Sequence, residues 1–210
     1  MSSLTPVILS WEYPPRIIGD MAHQVEHLTS GLNKANIPTM VVTCHNTPYM
    51  YEKRSSLLEL FWASNPVEPQ ISVITWCLTL NSEIERIVAD QYYDRRGIID
   101  LLDVHEWHFV SAGTTLKRAL GIPFIFTIHS LEDQRSPDTS SPLSSCIKGL
   151  ERMGTKESDL VITKSDSMKK EIMKIHEIPE NKIIVVPQTG ENGIKEVIKS
   201  YRKITPNKRV

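Results

Sequence analysis

Four short segments of this 210-residue chain carry side chains that could do chemistry. Asp103-Val104-His105-Glu106-Trp107-His108 places four ionisable groups and an indole where an apolar run gives way to a helical pattern. A strand terminus furnished in this way is a typical place for substrate hydroxyls. A metal would need ligands converging on one centre; His105 and His108 straddle the junction, so no metal site is expected. Glu106 reads equally well as a cap of the helix that follows. In Thr127-Ile128-His129-Ser130, a histidine stands just past a second apolar run, beside Glu132-Asp133. It is either a hydrogen-bonded structural group or, given its position, a ligand contact. The stretch from Ser10 to Ala22 is a first strand-to-helix turn. A helix start there offers outward-pointing backbone N–H groups to an anion, although the segment also reads as an ordinary loop stiffened by Pro14 and Pro15. Thr163-Lys164-Ser165-Asp166-Ser167 opens another helix, with Ser165 as its plain N-cap.

The elements that must position these groups alternate. Val7-Ile8-Leu9-Ser10 reads as a strand, followed by a helix from Asp20, its expected N-cap, with Met21, Val25, Leu28 and Leu32 on one face. Thr39–Thr43 is a second strand, and an irregular stretch covers about 44–70. A third strand is predicted over Ile71–Trp76, and a helix from Ser82, where Glu85 three residues on completes a capping box. Asp100–His105 is a fourth strand, then come a helix near 107–120 stopping at Gly121 and a strand over Phe124–Ile128. A helix over about 143–157, a strand over Leu160–Thr163, a helix from Ser165 or Asp166 and a strand over Lys182–Val186 complete the pattern. Runs apolar on both faces and separated by helices predict a mainly parallel sheet covered on both sides, a doubly wound Rossmann-like α/β domain. In such sheets ligands bind at the carboxyl ends of the strands, where all four segments fall.

Composition narrows the function. With 40% hydrophobic and 23% charged residues the chain is ordinary globular protein, not a disordered or fibrous one. A net charge of −1 argues against a nucleic-acid partner. No apolar run approaches the roughly 20 residues of a membrane span, and the amino terminus lacks a signal-peptide pattern. Three scattered cysteines, Cys44, Cys77 and Cys146, predict neither a disulfide framework nor a zinc site, so a reducing cytoplasm is expected. The first turn lacks Gly-x-Gly-x-x-Gly, which disfavours an NAD or FAD enzyme, and no cofactor is expected.

Taken in order, Trp11-Glu12-Tyr13-Pro14-Pro15 with Gly19, His105-Glu106-Trp107-His108, Phe126–Ser130, Leu150-Glu151-Arg152, Ser158–Ser165 and Ile184–Pro187 resemble the amino-terminal domain of a GT-B glycosyltransferase of the glycogen/starch synthase type. The likeness runs from about residue 6 to residue 190. It implies half of a two-domain enzyme that moves a hexose from a nucleotide sugar, such as ADP- or UDP-glucose, to a glucan or other carbohydrate acceptor, with retained stereochemistry and no obligatory metal. By that resemblance His129 matches the active-site histidine near the transferred sugar. Gly19 matches the first glycine of a Gly-Gly loop facing the donor diphosphate. Glu106 stands where an acidic residue, usually Asp, is found, and Tyr13, His105, Trp107, His108 and Ser165 join the expected substrate-binding set.

Four departures stand out. Asp20 replaces the second glycine; a carboxylate about 5 Å from phosphate at an effective permittivity near 20 repels it by roughly 3 kcal/mol, on the order of 100-fold in affinity. Asp103 replaces the first histidine of the usual pair. Only 20 residues follow Gly190, whereas a donor-binding domain of roughly 150 to 200 residues is expected there. Gln188-Thr189-Gly190 stands where the hinge between the domains usually reads Asn-Gly. Those last residues hold an amphipathic helix, with Ile194, Val197, Ile198, Tyr201 and Ile204 on one face. The expected organisation is a domain over 1–190 and, over 191–210, a helix and tail packing back on it as the final helix of full-length relatives does. Such a half would be inactive alone, and would call for a separate donor-binding domain or self-association; a non-catalytic carbohydrate-binding or regulatory module is the alternative.

Overall fold

Strand β1 (Pro6–Ser10) alternates its side chains between two apolar layers: Val7 and Leu9 face one, Ile8 the other. That alternation is the local signature of a sheet buried on both sides. The computed structural model describes residues 4–205 except 46–49, 66–71 and 188–189. In chain order the elements after β1 are α1 (Asp20–Lys34), β2 (Thr39–His45), β3 (Met50–Lys53), β4 (Leu58–Ser64), α2 (Val73–Asp94) and β5 (Leu101–His105). There follow α3 (Val110–Leu120), β6 (Phe124–Ile128), α4 (Glu132–Arg135), α5 (Pro142–Glu157), β7 (Leu160–Thr163), α6 (Asp166–His176), β8 (Ile183–Val185) and α7 (Glu191–Ile204).

The eight strands form one sheet in the order β3-β4-β2-β1-β5-β6-β7-β8. All neighbours are parallel except β3, which runs antiparallel to β4 at the edge. The α/β doubly wound expectation is therefore met. One face is covered by α2, α3, α5 and α6, whose Leu80, Ile84, Leu116, Ile147 and Ile172 pack against Leu9, Val104 and Phe126. The other face has only α1 and α7 among the described helices: Val25, Leu28 and Leu32 of α1, with Val197 and Tyr201 of α7, cover Ile8, Val41 and Ile125. The two helices touch closely enough that a Cβ on Gly31 would lie 2.6 Å from the Ile194 side chain.

Several expectations are corrected. Residues 73–76 are helix, not strand: α2 starts at Val73, with the Ser72 hydroxyl accepting from Thr75 N–H at 3.4 Å, and Ser82 lies inside it. Ile71 lies outside the described residues. The β-branched run reads as a strand locally, yet Trp76, Cys77, Leu80, Asn81, Ile84, Ile87 and Val88 continue one helical face into the core. The strand next to β2 comes instead from the stretch expected to be irregular, where β4 pairs in register over Thr39↔Leu58 to His45↔Ser64. Asp20 is the first residue of α1 and Gly19 the N-cap, since Glu12 of the preceding loop reaches the helix start in place of a local cap. Residues 107–109 form a 3-10 turn before α3 begins.

Candidate active site

Register builds the site. Ser10 of β1 lies beside His105 of β5, and His105 beside Thr127 of β6, so the three strands end level. Trp11, Glu106 and His129 emerge together at this edge and line a cleft of about 590 Å³ with Gly19, Asp20, Trp107, His108 and Lys164.

The first wall is aromatic. The His108 ring stacks between two indoles, 4.4 Å and 18° from Trp11 and 4.0 Å and 21° from Trp107. Trp76 of α2 meets Trp11 edge-on at 4.9 Å, and the Arg16 guanidinium lies 4.8 Å over the Trp11 ring. Asn81 of α2 fixes the turn: its amide donates to the His108 carbonyl at 2.8 Å, and its carbonyl accepts from Ala112 N–H at 2.7 Å. Burial, reinforced by the positive charges of Arg135 and Arg16, lowers His108 to about 3. Its neutral ring is thus a flat plate at any ordinary pH.

The second wall is a carboxylate clamp. Glu106 sits at φ 63, ψ 173, a conformation that costs a non-glycine residue about 1–3 kcal/mol. That backbone turns its carboxylate away from its own helix start, across to the next loop. Oε1 accepts from the backbone N–H groups of His129 and Ser130, both at 2.8 Å, and Oε2 accepts from Arg135 at 2.9 Å. Glu106 therefore holds the backbone of His129, and does not cap the 107–109 turn. Arg135 also reaches Glu151 at 2.7 Å and Glu132 at 3.4 Å. One guanidinium serves three buried carboxylates, so burial prevails: Glu106 is raised, and Glu151 is raised to about 7.

Beneath the cleft lies a buried polar chain. His105 Nδ1 is 2.8 Å from His129 Nε2, and His105 Nε2 is 3.5 Å from Asp103 Oδ2. Burial pushes the Asp103 carboxyl up, but His105 and the hydroxyls of Thr127 and Tyr201 outweigh it and hold it below its ordinary value. His129 is lowered to about 3 by burial first and by neighbouring His105 second, so it is a neutral imidazole.

At the start of α1 the loop fills its own anion site. Glu12 Oε2 accepts from Ile18 N–H at 2.5 Å and Gly19 N–H at 2.7 Å. Asp20 is exposed on the same rim.

The cleft thus gathers His129, Glu106, Trp107, His108 and Gly19, with His105 packed behind His129. Tyr13 and Ser165 lie elsewhere. Tyr13 is buried with its hydroxyl 2.9 Å from Thr29 of α1, and Ser165 caps α6, accepting from Met168 N–H at 3.2 Å. Among the described residues no group of three or more His, Cys, Asp or Glu side chains could hold a metal ion. Lys164 lies in the fourth segment marked in the sequence and does reach the cleft. Sequence reasoning passed over Arg135 and Asn81: no local pattern marks them, and only the fold carries Arg135 to the cleft and Asn81 to the turn behind it.

The model of Glycosyltransferase Family 4 matches residues 21–189. An uncharacterized glycosyltransferase of Methanocaldococcus jannaschii is 31% identical over 181 residues, which is 85% of this chain and 44% of that protein. A glycogen synthase of Mycobacterium tuberculosis is 28% identical over 182 residues, 80% of this chain and 44% of its own length. The chain therefore spans under half the length of these relatives. Among solved structures, a sucrose-phosphate synthase of Thermosynechococcus elongatus matches with TM-score 0.69 at 13% identity, over 88% of this chain and 48% of the other. A shorter chain of that synthase matches nearly end to end, 95% against 98%, with TM-score 0.68 at 14% identity. By the family match and by a fold shared with one half of these enzymes, the chain belongs to Glycosyltransferase Family 4, with the architecture of an amino-terminal GT-B domain.

Proposed function

We propose that this chain supplies the acceptor side of a retaining hexosyltransferase, completed by a donor-binding domain that takes ADP- or UDP-glucose. The observation that carries this reading is the convergence of Trp11, Gly19, Glu106–His108 and His129 on one cleft at the ends of β1, β5 and β6. The stacked Trp11, His108 and Trp107 give sugar rings a flat wall of indole and neutral imidazole. His129 stands for the group facing the transferred hexose, with its backbone held by Glu106. Lys164, exposed on the rim, offers a cation to a donor diphosphate. Half of the preorganised charge that stabilises a departing nucleotide comes from the completing domain, so transfer needs both. In this reading α7 takes the place of the helix that returns from the second domain of full-length relatives.

A non-catalytic carbohydrate-binding or regulatory module is the second reading. It is favoured by the carboxylates of Glu12 and Asp20, which both stand at the start of α1 where a donor diphosphate would sit.

Isothermal titration with a maltooligosaccharide, ADP-glucose and UDP-glucose tests both. Glucan binding is expected in either case. Nucleotide-sugar binding, or transfer on adding a donor domain, supports the enzyme. Binding of none of the three would refute the carbohydrate reading.

A further inference from the structure

Buried Asp103, His105 and Tyr201 and half-buried His129 form a line whose proton positions the geometry constrains. Asp103 is 1% exposed and its two oxygens are already taken: Oδ1 accepts from the Thr127 hydroxyl at 2.6 Å and Oδ2 from the Tyr201 hydroxyl at 2.5 Å. Tyr201 comes from the last helix, 98 residues along the chain, and is itself fully buried. Two hydroxyls therefore meet the carboxylate charge. The remaining neighbour, His105 Nε2, stands at 3.5 Å, well beyond the roughly 2.7–2.9 Å of a charge-assisted hydrogen bond. Among the described residues Nε2 has no hydrogen-bond partner, and it faces the carboxylate across that gap. A bare Nε2 would aim its lone pair at a negative oxygen.

If Nε2 carries the His105 proton, Nδ1 is an acceptor, and the atom 2.8 Å away, His129 Nε2, has to be the donor. We propose that Asp103 is a positioning residue: its carboxylate, held by Tyr201 and Thr127, fixes His105 and through it His129 as Nε2–H tautomers, so that His129 keeps its lone pair on Nδ1. This inference rests on the reading above only for its consequence, that Nδ1 of the His129 ring is an acceptor and not a donor.

Two-bond proton–nitrogen correlation spectra of the full chain, with 15N-labelled histidine, read the tautomers directly. Assignment uses the His105→Gln and His129→Gln variants. Both rings are expected as Nε2–H, with Nδ1 at the unprotonated shift. In Asp103→Asn the neutral amide no longer pins His105, and His129 should lose its single tautomer, its Nδ1 shift moving toward the protonated value. Tyr201→Phe keeps the carboxylate and should keep both tautomers. A His129 Nδ1–H ring or a His105 imidazolium in the unmodified chain would overturn the proposal, and this holds even if Asp103→Asn does not fold. So would unchanged His129 shifts in Asp103→Asn, or a Tyr201→Phe shift as large as that of Asp103→Asn. Sugar titration is a separate measurement, and its failure would count against the proposed function alone.

Discussion

Glu151 costs the fold stability at neutral pH, and the cost can be measured by difference. Its side chain is 1% exposed. Oε1 accepts from Glu132 N–H at 2.8 Å and from Arg135 at 2.7 Å, while Oε2 lacks a hydrogen bond, with His176 Nε2 3.9 Å away. Burial raises its pKa from 4.5 to about 7 against the pull of Arg135. At about 1.4 kcal/mol per unit, that shift corresponds to about 3 kcal/mol. Between pH 4.5 and 7 the native state holds a proton that the unfolded chain has released. Stability from this group is therefore full below pH 4.5 and lost as pH rises through 7. Glu151→Gln keeps the Oε1 acceptor and cannot ionise. Its unfolding free energy relative to the unmodified chain should rise by about 3 kcal/mol between pH 4.5 and 8. Urea unfolding followed by tryptophan fluorescence across that range gives the difference. His108, His129 and His176, lowered to about 3, 3 and 4, tilt both curves the other way below pH 6.5 and largely cancel in the subtraction. A difference flat with pH would refute the argument that burial dominates the Arg135 cluster.

Four further outcomes are expected. Tyr201→Phe removes the hydroxyl from a buried carboxylate, a loss of about 1.5–3 kcal/mol, seen as a melting temperature lower by about 3–12 °C; deleting 191–210 should unfold or aggregate the chain, and unchanged melting would deny α7 its place in the core. Gly31→Val drives a side chain into Ile194, at a cost of about 1–3 kcal/mol, which Ile194→Ala in the same chain should recover in part by denaturant unfolding. Asp20 is exposed, so water screens it: at a permittivity near 80 a charge about 5 Å away feels about 1 kcal/mol. Asp20→Gly should thus tighten UDP binding several-fold by calorimetry at low salt, an advantage that disappears near 1 M salt.

The parallel sheet was legible because β1, β5, β6 and β7 are short runs buried on both faces, a pattern few other elements share. Residues 73–76 were not. Val-Ile-Thr-Trp favours a strand locally, and only the long buried face of α2, packed on β2 and β4, decides for helix. The stretch about 44–70 hid β4 for the converse reason: its place beside β2 depends on pairing partners that the local sequence does not reveal.

In the site the division is similar. Residue types and their position at strand ends marked Glu106, His108 and His129, because a parallel sheet delivers its carboxyl-terminal loops to one edge. What each side chain does there was settled by contacts between residues far apart in sequence. Glu106 clamps His129 because a left-handed backbone aims it across the cleft, and Tyr13 turns inward to Thr29. Tyr201 reaches Asp103 only once α7 has closed the second face of the sheet. The sequence alone determined the fold class and the edge at which to look, since hydrophobic periodicity is local. The hydrogen-bond partners at that edge depended on three-dimensional packing, since a buried polar group bonds to whatever the fold brings within about 3 Å.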